Sequence, residues 1–190
     1  MPQTIKHFWV WLLALVPVLI ALVFTGPADF ASTGALLNVA GRLTGIGGLS
    51  MLLVATALCC RVPGFDLPFG GLTKLWQLHH QLGAVAFMLL LAHPLLLAFA
   101  AVEVSLMVAI ATLFSPTMGL WLGWLALILM MIFLAPSFAF FGEPDYQRWK
   151  WLHRLSGPAV FLALMHTALL TRTFSGLWAW LIWGGLFSLA

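Results

Sequence analysis

Apolar residues run along this chain in six long stretches, separated by short clusters rich in glycine, proline and acidic residues. The runs are Phe8 to Phe24, Ala35 to Cys60, Leu75 to Ala101, Met118 to Phe141, Trp149 to Thr171 and Ser175 to Ala190. A helix crosses the hydrocarbon core of a bilayer in about 20 residues, and only helices and closed barrels satisfy their backbone there. The pattern therefore predicts an all-α polytopic membrane protein, a six-helix transmembrane bundle forming one domain over residues 1–190. Its separators are Gly26-Pro27-Ala28-Asp29, the stretch from Pro63 to Gly71, Ser115-Pro116, and Gly142-Glu143-Pro144-Asp145. Val102 to Phe114 is apolar but leads into Ser115-Pro116 rather than a charged loop, and is expected to extend the third helix along the outer interface. The last run is short for a span and has no polar tail, as expected if it tilts little or if the chain is cut from a longer one.

Composition closes off the soluble classes. The chain is 63% hydrophobic and 7% charged with mean hydropathy +1.09, where soluble domains carry roughly 25% charged residues. The first run follows Lys6 but lacks a small-residue cleavage site, so it reads as a retained span rather than a signal peptide. The net charge of +3 matters less than where the charges fall. Lys6, Arg61, Lys74, Arg148, Lys150 and Arg154 lie on one side of the six-span map, and Arg42 and Arg172 on the other. The positive-inside rule then puts both termini in the cytoplasm and starts spans three and five at the cytoplasmic face. Membrane lipid is the expected partner, and nucleic acid is not. Tryptophans such as Trp9, Trp76, Trp149 and Trp178 sit near span ends as interfacial anchors. Cys59 and Cys60 have no metal-ligand spacing and read as small apolar helix residues.

The chemistry lies in the histidines. Leu78-His79 and Leu152-His153 each open the pattern L-H-x3-G-x3-F, through Gly83 and Phe87 in one case and Gly157 and Phe161 in the other. A second histidine follows at His93 and at His166. Imidazoles in hydrocarbon cost free energy unless something binds them, so two pairs on two apolar helices ask for a common ligand. A step of 14 residues turns a helix to within about 40° of whole turns and climbs roughly 21 Å, so His79 and His93 share a face at two depths. The repeat aligns His79, rather than His80, with His153; His80 stays as the alternative ligand. From His153 to His166 the step is 13, and Pro158 between them is expected to kink or re-wind the helix. Gly83 and Gly157, one turn beyond a histidine, would let a flat macrocycle lie against the backbone, although helix packing also explains a glycine. His7, near a span end, reads as an interfacial residue.

These features point to haem clamped between imidazoles, His79 with His153 near the cytoplasmic side and His93 with His166 near the outer side. Such an iron has both axial positions filled and passes electrons. Two haems fit the four histidines, and one remains an alternative. Zinc is weaker, since cysteine and carboxylate co-ligands are absent from the apolar site. The propionates need cations. Arg154, with Lys74 or Lys150, can serve the cytoplasmic haem, and Arg42 and Arg172 the outer one. Arg42 follows the G-x-x-x-G of Gly41 and Gly45, a helix-packing signature, and can equally snorkel or pair with a nearby carboxylate.

His79-His80-Gln81-Leu82-Gly83 through His93-Pro94, then Tyr146 to Leu155 through His166, and more loosely Gly41-Arg42-Leu43-Thr44-Gly45, resemble the ferric reductase-like transmembrane domain. This is the membrane module of ferric reductases, NADPH oxidases and the haem-binding membrane subunit of the bacterial methionine sulfoxide reductase system. The resemblance covers essentially the whole chain. It implies a six-helix bundle with b-type haem in a bacterial inner membrane, taking electrons from a cytoplasmic flavin or NAD(P)H reductase and passing them to ferric iron, oxygen or a partner protein outside. The chain departs from the pattern at His80, where the family usually has arginine. It also lacks the flavin and nicotinamide domains of the family's reductases, so the donor is a separate protein, a free flavin or quinol, or a domain not in this sequence. A small transporter or channel with a histidine proton or metal relay is the competing function, and a haem-containing anchoring subunit is a third.

Overall fold

A computed structural model describes residues 3–59, 62–137, 145–170 and 180–189, and every regular element among them is helical. They fall into two compact units, residues 1–113 with 173–190, and residues 114–172.

In the first unit, α1 (Gln3–Val23) packs on α2 (Thr33–Ala57), which in turn packs along α3 (Leu72–Val102). Between α1 and α2 a single turn, Pro27–Phe30, starts at the proline whose ring presets the backbone angle. Ser32 then caps α2, its Oγ accepting from the Ala35 N–H at 3.1 Å and donating to the Glu103 carboxylate at 2.9 Å. Gly64, Gly70 and Gly71, all at positive φ, turn the chain from α2 into α3. At 31 residues α3 is about 46 Å long, well over the roughly 30 Å hydrocarbon core.

Association of helices in lipid depends on close packing, because leucine gains little by leaving acyl chains for another helix. In α2 that closeness comes from a ridge of glycines. A Cβ on Gly34 would run into Glu103 and the Ala100 carbonyl, one on Gly41 into Leu97, one on Gly45 into His93, and one on Gly48 into Leu90. Partners that fall in number as the glycines rise make the pair antiparallel. The centre of α2 is the core of this unit, with Leu49, Leu53 and Ser50 almost wholly enclosed.

The chain does not carry α3 on into the next apolar stretch. It turns at Glu103–Ser105, and Ser105 Oγ accepts from the Val108 N–H at 3.1 Å to start a separate helix, α4 (Leu106–Phe114). The expected extension of the third helix is thus a distinct short helix behind its own serine cap. A π-helical turn (Trp180–Gly184) and α8 (Gly185–Leu189) complete the unit, with α8 against α2.

The second unit holds α5 (Met118–Leu134), α6 (Tyr146–His153) and α7 (Ser156–Leu170), with α5 packed along α7. Asp145 caps α6 through its Oδ1, which accepts from the Gln147 N–H at 2.9 Å. The single helix expected over Trp149 to Thr171 is divided. Pro158 has no N–H to give the Arg154 carbonyl, and its ring crowds that oxygen, so the helix closes with tight turns from Arg154 to Trp151 and from Leu155 to Leu152. Pro158 then sits in the first turn of α7, where the missing donor costs nothing. Among the described residues three helices are long and apolar enough to cross a bilayer: Thr33–Ala57, Leu72–Val102 and, with the turn after α5, Met118–Ser137. The apolar part of α1, His7–Val23, is shorter.

Gly48→Ala puts a methyl 2.6 Å from Leu90 Cγ and 3.2 Å from the Ala86 carbonyl. The expected outcome is destabilisation by about 1–3 kcal/mol, the usual range for overpacking, read as a lower unfolding midpoint in detergent.

Candidate functional site

His93 lies in α3 at the level of Gly45, and its Nδ1 is 2.7 Å from the Gly41 carbonyl of α2. A carbonyl oxygen only accepts, so Nδ1 carries the proton and Nε2 the lone pair. His166 in α7 repeats this on α5, with Nδ1 2.8 Å from the Gly119 carbonyl. Each ring lies over a second glycine one turn further along. A Cβ on Gly45 would stand 2.7 Å from His93 Nδ1, and one on Gly123 2.5 Å from His166 Nδ1. The leucine four residues after each histidine covers the first glycine: Leu97 on Gly41, and Leu170 on Gly119. Helix pairs α2–α3 and α5–α7 therefore share one local arrangement, each within its own unit.

The repeat extends to the other histidines. Ala55 and Phe133 stand fourteen residues beyond Gly41 and Gly119 respectively. His79 gives its Nδ1–H to the Ala55 carbonyl at 2.9 Å, with Cys59 Sγ 3.2 Å from the same nitrogen. His153 meets Phe133 edge to face at 5.3 Å and stacks on Trp149 at 4.8 Å. Trp149 is itself held by its indole N–H on Ser137 Oγ at 3.0 Å. His80 is exposed and bonds the Trp76 carbonyl of its own helix at 2.8 Å, so of the two adjacent histidines His79 is the one turned onto α2.

Among the described residues a Cβ on Gly83 or on Gly157 meets no atom within 4 Å. Arg42 Nη2 pairs with Asp29 Oδ1 at 2.5 Å, while its Nε is buried with no hydrogen-bond partner. Pairing with a nearby carboxylate is one of the two roles its position suggested. Arg154 is exposed, 5.9 Å above the Trp151 ring. Lys74 and Lys150 are exposed, and Arg172 lies outside the described residues. Among the described residues no three His, Cys, Asp or Glu side chains come together as a metal site.

Sequence reasoning read Trp149 as an interfacial anchor and passed over Gly119, Gly123, Phe133 and the carbonyls of Gly41 and Ala55. A second G-x-x-x-G, at Gly119 and Gly123, was the available signal for the first two. The rest depend on which helix faces which.

The protein-family model described as ferric reductase like transmembrane component matches residues 44–164, from the α2 glycine ridge almost to His166. No curated protein and no solved structure gives a significant match.

The Gly26 N–H bonded to Asp29 Oδ2 at 2.9 Å, and then the Arg42 guanidinium, hold the Asp29 carboxyl below its ordinary range. A depressed carboxyl contributes stability above its unfolded pKa and loses it as pH falls through the folded value. Acid titration of unfolding in the wild type is expected to show that loss below the usual carboxylate range. Asp29→Asn is expected to be less stable at neutral pH and flatter on the acid side.

Proposed function

Since the chain belongs to the ferric reductase-like transmembrane family, we propose that it carries electrons across a membrane through b-type haem held by histidine. His93 with His166, and His79 with His153, are the residues that would hold the haem. The observation that carries this reading is the twofold glycine seat. In α3 and in α7 a deep histidine gives Nδ1–H to a neighbouring helix and so presents Nε2 as a lone-pair donor, the tautomer an imidazole ligand needs.

The rest of the residue set fits the group. Among the described residues nothing crowds the Cβ positions of Gly83 and Gly157. Arg42 keeps a buried Nε donor after pairing with Asp29, which suits a propionate, and Arg154 and Arg172 are further cations for this role. His79, turned onto α2, is preferred to His80. Haem held there would supply a one-electron iron couple. The chain's own contribution is to fix the orientation of each deep histidine through its Nδ1–H.

The wider reading has six spans, α6 and α7 together forming the fifth and residues 175–190 the sixth, with both termini cytoplasmic in a bacterial inner membrane. The distribution of lysine and arginine supports that orientation. The donor is a cytoplasmic flavin or NAD(P)H reductase, and the acceptor ferric iron, oxygen or a redox protein at the outer face. A histidine relay for protons or metal has less support, because the apolar runs that hold the four histidines, Leu75 to Ala101 and Trp149 to Thr171, carry no carboxylate to share a proton or a metal with them.

Membrane-extracted protein is expected to show a sharp reduced-minus-oxidised haem b spectrum. His93→Ala or His166→Ala should lower haem per polypeptide by about half, as each pair holds one of two haems. Wild-type protein without haem absorbance would refute the reading. His79→Ala is expected to lose haem and His80→Ala to keep it, and the reverse result would exchange their roles.

A further inference from the structure

We propose that Gly45 and Gly123 are positioning residues whose missing side chains steer the two deep histidines onto the carbonyl one turn earlier and thereby fix the nitrogen each presents. In an α-helix the carbonyl of residue i points along the axis toward residue i+4, so a side chain at i+4 screens it from a neighbouring helix. At Gly45 and Gly123 the imidazole occupies that space. A Cβ would lie 2.7 and 2.9 Å from Nδ1 and Cε1 of His93, and 2.5 and 2.7 Å from the same atoms of His166. The ring cannot retreat cheaply, because retreat breaks its bond to Gly41 or Gly119 and leaves a polar N–H in an apolar setting.

His80 provides the contrast. Exposed on α3, it turns its Nδ1 onto the carbonyl four residues back in its own helix. The corresponding carbonyls for His93 and His166 are those of Leu89 and Leu162, yet both rings bond the neighbouring helix instead. Gly48 provides a second contrast. It belongs to the same glycine ridge and is as crowded, but by Leu90. Crowding at Gly45 and Gly123 falls on an imidazole both times, once in each unit, whereas at Gly48 it falls on a leucine, so close helix contact alone does not account for the pair.

The consequence at iron rests on the electron-transfer reading. An imidazole that donates Nδ1–H to a carbonyl is the more basic ligand at Nε2, which favours ferric iron. The tautomer itself does not depend on that reading.

The test is nitrogen NMR of the full-length chain labelled with ring-15N histidine in a bilayer or detergent, under reducing conditions so that any bound haem is ferrous. His93→Gln and His166→Gln assign the signals by loss. In the wild type both rings are expected to be protonated at Nδ1. Gly45→Ala should move only the His93 signals, Gly123→Ala only those of His166, and Gly48→Ala neither. In haem-loaded protein, Gly45→Ala and Gly123→Ala should also shift the midpoint potential and low-spin EPR signal, with Gly48→Ala unchanged. Protonation at Nε2 in the wild type overturns the proposal even if the alanine variants fail to fold. So does a Gly48→Ala spectrum altered in the same way as that of Gly45→Ala. Rings protonated at Nδ1 in protein that binds no haem would uphold the seat and defeat the electron-transfer reading instead.

Discussion

An imidazole has two ring nitrogens, and inside an apolar helix pair neither is cheaply left without a partner. In this chain one nitrogen of each deep histidine is satisfied by a backbone carbonyl of the adjoining helix. Helical carbonyls are already engaged along the axis, and side chains cover them from the flank. At Gly45 and Gly123 the covering position carries no side chain, which leaves the Gly41 and Gly119 carbonyls open to a ring from the closely packed neighbour. The bond from Nδ1 thus sets requirements on sequence and on spacing together, and the glycine ridge of α2 meets both.

That coupling explains why one motif serves packing and chemistry. Gly41 lets Leu97 approach α2 and also supplies the acceptor for His93, while its carbonyl takes the Thr44 hydroxyl as well at 2.9 Å. On α5, Gly119 does the same for Leu170 and His166. Further along each helix pair the arrangement loosens. His79 finds the Ala55 carbonyl near the end of α2, whereas His153 is held by aromatic faces and Trp149 is fixed in turn by Ser137.

Much of this was legible in the sequence, for physical reasons that differ by residue. The histidine pairs stood out because hydrocarbon makes each imidazole conspicuous, and the G-x-x-x-G at Gly41 and Gly45 marked close packing correctly. That packing brings His93 to Gly45 needs the pairing of α2 with α3, which spacing along one helix does not encode. Pro158 was visible as a disturbance. Kink and break share the same local cause, and the break follows because Arg154 and Leu155 close α6 with tight turns. Arg42 illustrates a different limit: its partner Asp29 lies in the preceding turn, and a folded Pro27–Phe30 brings the carboxylate within reach. Ser105 acts as a helix cap, a role masked by the apolar residues on both sides of it.

The two histidine-bearing stretches differ mechanically. In α3, His79 and His93 ride on one unbroken rod, so a push at either end is felt by both. Between His153 and His166 the chain passes through the Arg154–Leu155 turn, a joint where small changes in backbone angle are absorbed. A displacement of Trp151 or Arg154 is therefore taken up at that joint and changes the aim of His153 while His166 stays seated on Gly123.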